Sequence, residues 1–301
     1  MFSLRAFLEL IRPGNTATAL ADVLAGFAVA GLVDTRALPF LLVATTCLYA
    51  GGITLNDVFD RHIDARERPE RAIPSGRVQA GHAGLFGASL VTVGVAAAAM
   101  VSREAGLVAV AIAASVLLYD AWGKHRMFVG PVNMGLCRGL NLLLGMTAAP
   151  GVVAGQWPLA LISLTYIAAV TALSRGEVSG GKRPVAVVAF ILLLVVLGAL
   201  KFVVLAPHVS GTGGLGAVSI DVDPFALALL AWLAWRILPP FWRTIGNPDP
   251  MVIRAAVRTG VLSLVLVDAV LAAAYAGMIY TLAVLSIWVV AGWLGRRFAV
   301  T

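Results

Sequence analysis

The chain has 301 residues, of which 60% are hydrophobic and only 12% charged, roughly half the charged fraction of a soluble domain; it cannot make a water-compatible surface. A formal net charge of +7 resides in Lys and Arg between apolar runs, without a basic and aromatic stripe, which argues for membrane topology and against a nucleic-acid partner. Cys47 and Cys137 both fall inside apolar runs and are expected as buried thiols, not a disulfide or metal site.

At the start, MFSLRAFLELIRPGN sets Arg5, Glu9 and Arg12 among Phe2, Leu4, Phe7, Leu8 and Ile11. This predicts an amphipathic interfacial segment with no removable signal and with Met1 in the cytoplasm. Runs long enough to cross about 30 Å of hydrocarbon then follow at about 15–33, 37–56, 81–101, 104–121, 129–149, 157–173, 184–206, 223–240, 257–277 and 279–294. The reading is one all-α transmembrane bundle of nine or ten spans over residues 1–301, the last pair joined very tightly. Alternate loops carry the cations: Arg61, Arg66, Arg68, Arg71 and Arg77; Lys124 and Arg126; Arg175, Lys182 and Arg183; Arg243 and Arg254. That asymmetry places these loops in the cytoplasm, with Arg36 and Arg103 opposite. The glycine-rich stretch near 211 to 224 reads as a flexible outer loop.

Leu55 to Gly76, LNDVFDRHIDARERPERAIPSG, is the most informative stretch. On a helix, Asn56, Asp57, Asp60 and Asp64 occupy an arc of about 100° and are predicted to converge. Crowded carboxylates repel unless a cation shares them, and hard oxygen ligands with an amide suit Mg²⁺ bridging to substrate phosphates. The interleaved Arg61, Arg66, Arg68 and Arg71 suit phosphate oxygens and a departing pyrophosphate. The bland alternative is a solvated loop whose arginines obey topology alone.

The run N-D-x-x-D-x-x-x-D from Asn56 to Asp64, followed by Arg71-Ala72-Ile73-Pro74-Ser75-Gly76, resembles the first aspartate-rich signature of UbiA-type prenyltransferases, with Ala72 the notable departure. Arg12, Pro13 and Asn15 resemble that family's R-P-x-N opening of the first helix, and Tyr119 to Lys124 its Tyr and Lys signature. The resemblance implies a helical bundle around a lipid-accessible cavity. In it, an isoprenyl diphosphate with Mg²⁺ gives up its prenyl group to a lipophilic or aromatic acceptor. It carries metal ligation onto Asn56, Asp57, Asp60 and Asp64, with the three aspartates catalytic, and diphosphate binding onto Arg61, Arg68, Arg71, Lys124 and Arg126. The family's second acidic motif is reduced to Glu177 within S-R-G-E-V, Ser174 to Val178, a pattern that looks most like the EboC-type branch. The resemblance also implies an integral protein of a bacterial inner membrane.

Within the spans, Arg138 and Asn141 are one turn apart, with Asn133 nearby, and an Arg at such depth must face protein or a water-filled cavity. Asn15, Thr18 and Asp22 share a helical face and suit either an acceptor or an interhelical hydrogen-bond network. Tyr119 and Glu177 complete the residues expected at the cavity. Asp268 reads as a structural partner. Two other functions share parts of this pattern: a non-catalytic relative that binds or transports a hydrophobic small molecule, and a CDP-alcohol phosphotransferase. The latter needs D-x-x-D-G, whereas Arg61 follows Asp60.

Overall fold

The computed structural model describes residues 4–178, 180–206 and 223–297. Most of the glycine-rich stretch near 211 to 224 therefore lies outside the described residues. Twelve α-helices account for most of the described chain: α1 (Leu4–Ile11), α2 (Pro13–Val29), α3 (Ala37–Phe59), α4 (Arg61–Glu67), α5 (Ala80–Ala99), α6 (Arg103–Ala121), α7 (Val129–Met146), α8 (Val152–Gln156), α9 (Ala160–Ser174), α10 (Arg183–Leu205), α11 (Pro224–Gly246) and α12 (Pro250–Arg297). No strand occurs among the described residues.

All ten apolar runs coincide with a helix or with one limb of α12. Among the described residues, seven helical segments are long and apolar enough to cross a membrane by length and composition. At 17 residues α2 is shorter, and α7 carries Asn133, Arg138 and Asn141 within its 18 residues. The amphipathic α1 packs Ala6 and Leu10 against Ala72, Val78 and Ala83, with Phe7 edge-on to Phe86 at 5.2 Å between centroids.

α12 is a hairpin. On a straight helix Ser263 and Trp288 would stand about 38 Å apart, yet one side chain reaches both. Arg236 Nε lies 3.2 Å from Ser263 Oγ, and its guanidinium lies 5.0 Å from the Trp288 ring centroid. The reversal falls at Gly277, with φ 73° and ψ −176°, a conformation that residues bearing a Cβ adopt only under strain. α11 differs from its expected end: it runs through Pro239 and Pro240 to Gly246. Prolines are tolerated inside membrane helices where neighbours support the freed backbone, and buried Phe241 and Thr244 hold this end.

α2 is the shared wall of two cores. Ala17, Ala21 and Ala25 belong to the one built with α9 to α12, while Val23 and Phe27 belong to the other, with α3, α5 and α6. It crosses α7 at backbone contact: a Cβ on Gly26 would stand 2.1 Å from Leu142 O, and one on Gly145 2.2 Å from Val23 O. Such small-residue crossings are the usual device where no hydrophobic force drives helices together in lipid. The crossing sets Asp22 directly against Arg138.

Candidate functional site

The basic loops gather at one end of the bundle. Arg12, between α1 and α2, pairs with Asp57, Arg77 with Glu9, and Lys124, after α6, with Asp60. Arg175, after α9, donates to the carbonyls of Lys124 at 3.2 Å and Arg126 at 3.3 Å. The same loop is tied to the α11–α12 turn by Gly181 N to Pro248 O at 2.9 Å and by Arg254 Nε to Glu177 O at 2.9 Å.

The four oxygen side chains of the motif do not meet at one point. Helical phase separates them into two rows: Asn56 and Asp60, one turn apart, and Asp57 and Asp64, two turns apart. Lys124 Nζ serves the first row, 2.6 Å from Asp60 Oδ1 and 3.1 Å from Asn56 Oδ1. Arg71 Nη1 serves the second, 2.7 Å from Asp64 Oδ2 and 3.4 Å from Asp57 Oδ1. The helix also breaks at Asp60, which ends α3 and begins α4.

Arg12 adopts a left-handed backbone (φ 43°, ψ 71°), uncommon for a residue with a Cβ. This turn lets α1 fold back and delivers the guanidinium to Asp57. Burial lowers the Arg12 pKa from its ordinary value, and the Asp57 carboxylate opposes that shift.

A cavity of about 340 Å³ opens beside the first row. Near the loops it is lined by Arg12, Asn15, Asn56, Asp60, Asp120 and Lys124; its middle is largely apolar, with Leu48, Ile53, Ile112, Val116 and Met134. Thr45, Arg138 and Asn141 line it further along α3 and α7. Tyr119 also faces it. Asp22 lies behind the wall, fully buried, bound to Arg138 and Asn141.

Other expected residues lie elsewhere. Arg61 is exposed, its Nη1 3.1 Å from Val58 O, and Arg126 stacks 5.0 Å over the Trp122 ring. Arg68 is half-buried, within electrostatic reach of Arg12 and Glu177. Glu177 sits on the loop after α9 and is not among the lining residues. Burial pushes its carboxyl above the usual range, against the pull of Arg254 and Arg68.

Sequence reasoning missed Asp120. It is buried, lines the cavity, and its Oδ2 has no hydrogen-bond partner. Its place between Tyr119 and Lys124, at the end of an apolar run, was the available signal. Among the described residues, no three His, Cys, Asp or Glu side chains stand together as a ready metal-binding group.

Fold and site together define a membrane-embedded helical bundle with a charged cavity mouth. Residues 18–240 match the model of the UbiA prenyltransferase family, and the chain belongs to that family. It is accordingly an integral membrane protein. It is 37% identical over 176 residues to the digeranylgeranylglyceryl phosphate synthase of Methanopyrus kandleri, covering 57% of this chain and 61% of that one. With the synthase of the same name from Natronomonas pharaonis it shares 27% over 267 residues, covering 82% and 90%. The chain spans 51% of the Methanothermobacter thermautotrophicus synthase, so several of these alignments cover only about half of the relative. Among solved structures, one reporting on digeranylgeranylglyceryl phosphate synthase in membranes superposes with a TM-score of 0.68 at 20% identity, covering 92% of this chain and all of that one. A UbiA homologue from Archaeoglobus fulgidus bound to DMAPP and Mg²⁺ gives 0.64 at 16%, covering 93% and 99%.

Proposed function

We propose that this protein transfers a prenyl group from an isoprenyl diphosphate to a lipophilic acceptor within the membrane. The observation that carries the reading is a single cavity with Asn56, Asp60, Asp120, Lys124 and Arg12 at its mouth and apolar walls behind them. That polarity matches a substrate with an anionic head and a hydrocarbon tail. The names of the relatives point the same way, since digeranylgeranylglyceryl phosphate is a prenylated glycerol.

The donor set suits Mg²⁺. This ion is usually held by one or two carboxylates together with substrate phosphates, and Asn56 and Asp60 offer an amide and a carboxylate beside the unpartnered Asp120 Oδ2. Asn56 and Asp60 would hold the ion, with Asp57 and Asp64 in the row behind them. When bound, it would supply Lewis-acid stabilisation of the leaving diphosphate.

The chain's own groups have separate tasks. Lys124 stands at Asp60 as a mobile cation, able to move onto a diphosphate oxygen as the substrate arrives. Arg71 keeps Asp57 and Asp64 paired, so their charge does not repel the anionic substrate. Arg175 fixes the loop bearing Lys124 and Arg126, and Arg126, Arg68 and Arg61 add positive potential along the approach. Apolar walls exclude water from an allylic cation.

A second reading is binding or transport without transfer. It draws on the loop after α9, whose single carboxylate, Glu177, is not among the cavity-lining residues. One experiment separates the two: the protein in lipid nanodiscs with Mg²⁺, labelled geranylgeranyl diphosphate and a membrane lipid extract. Transfer predicts pyrophosphate release and a prenylated product, both abolished by Asp60→Asn. Donor binding without pyrophosphate release would overturn transfer in favour of the second reading.

A further inference from the structure

α3 and α6 run side by side toward the cavity mouth. Gly52 and Val116 mark their contact, since a Cβ on Gly52 would stand 2.8 Å from Val116 Cγ1. One turn further along each helix come Asn56 and Asp120, and another four residues on come Asp60 and Lys124. Lys124 Nζ fixes this register, at 2.6 Å from Asp60 Oδ1 and 3.1 Å from Asn56 Oδ1. All six residues line the cavity. The pairing places the Asp120 carboxylate beside the amide of Asn56, one step deeper than the ion pair.

Asp120 is 3% exposed and its Oδ2 has no hydrogen-bond partner, a costly state for a buried carboxylate oxygen. Of the buried carboxylates with unpartnered oxygens among the described residues, Asp22, Asp120 and Asp268, Asp120 alone lines the cavity. Only there can something from outside meet the need. The nearby cations are already engaged: Arg12 with Asp57, Arg71 with Asp57 and Asp64, and Lys124 with Asp60. Asp120 lies within electrostatic reach of Lys124 and Asp60, so two carboxylates share one ammonium. When that ammonium moves onto a diphosphate, Asp60 and Asp120 are left with two negative charges and no counterion. One divalent cation balances both, at the place beside Asn56 and Asp60 that the ammonium marks. Two carboxylates and an amide are hard donors suited to Mg²⁺, and they leave its other positions to water and phosphate oxygens.

Resting on the prenyl-transfer reading, we propose that Asp120 is a third ligand of the donor's Mg²⁺, joining Asn56 and Asp60 from α6, and that Glu177 takes no part. Lys124 holds this place in the free protein and gives it up for the diphosphate. The set is completed by the substrate, which accords with the absence of a ready group of three acids among the described residues.

Mn²⁺ affinity, read by electron paramagnetic resonance, tests this on the full chain in phosphatidylcholine nanodiscs with the inert donor analogue geranylgeranyl thiolodiphosphate. Asp120→Asn keeps the shape, relieves a buried charge and should weaken Mn²⁺ by at least about ten-fold, the least that even an outer-shell partner is commonly worth. Glu177→Gln should stay within about two-fold of the wild type. Asp120→Cys, in a chain with Cys47 and Cys137 replaced by Ser, is the second variant and reports ligation directly. A thiolate favours a soft ion, so Mn²⁺ should weaken while Cd²⁺ binds with a thiolate-to-metal charge-transfer band, missing from the same background with Asp120 intact. A residue that only shaped the fold would give no such band. Unchanged Mn²⁺ affinity in Asp120→Asn, an equal loss in Glu177→Gln, no band with Cd²⁺, or no Mn²⁺ binding by the wild type overturns the third ligand. Asp120-dependent Mn²⁺ binding without pyrophosphate release from geranylgeranyl diphosphate and lipid extract would instead overturn prenyl transfer while leaving the ligand standing.

Discussion

Arg12 and Lys124 carry the interactions that organise the cavity mouth, and neither pairing was readable from local spacing. Asp57 lies 45 residues from Arg12 and Asn56 lies 68 from Lys124. The sequence located the aspartates and their helical phase, which are local, but not which cation each row receives. Lys124 is the sharper test. Lys124→Met removes the ammonium from Asp60 and Asn56 and should weaken geranylgeranyl diphosphate by about 10- to 100-fold. Titration calorimetry or radioligand binding in nanodiscs would measure it, and unchanged affinity would take Lys124 out of the diphosphate site.

Among the elements, the α12 hairpin depends on one residue. Gly277 has nothing within 4 Å of a built Cβ, so Gly277→Ala meets no steric barrier, only the conformational one at φ 73°. It should cost about 1–3 kcal/mol and lower the thermal unfolding midpoint in detergent. Gly292→Ala, on the same helix with equal space around it, should be neutral or slightly stabilising, since Ala outranks Gly by up to about 1 kcal/mol in helices. Equal effects of the two would refute a hairpin held by the left-handed turn. Sequence patterning foresaw the tight joint because two apolar runs met without a polar break. It also ended the eighth run at residue 240, whereas neighbours carry α11 past Pro239 and Pro240 to Gly246.

The whole molecule collects α1, the loop around 61–79, the turn near Lys124, the segment after α9 and the α11–α12 turn at one end. This bundle polarity is open to single-cysteine labelling in a chain with Cys47 and Cys137 replaced by Ser. Cysteines at Val33 and Met100, which are 74% and 73% exposed, should react with an impermeant reagent from one side of a sealed vesicle. Those at Arg66, which is exposed, and Met251, 71% exposed, should react from the other. By the charge asymmetry the second side is the cytoplasmic one. A mixed pattern within either pair would break the topology.

By itself, the sequence determined the environment and the location of the chemistry. Apolar run length and cation placement are one-dimensional properties answering to a slab of lipid, and the spacing from Asn56 to Asp64 is a property of one helix. The tertiary structure alone decided which charges meet. It set Arg12 on Asp57, brought Asp120 to the cavity, left Glu177 outside it, and drew Asp22, Thr45 and Arg138 from three helices into one network. The reason is physical: these contacts depend on how closely helices cross, as where Gly26 and Gly145 let α2 and α7 touch, and a helix's own periodicity carries no record of its neighbour's register.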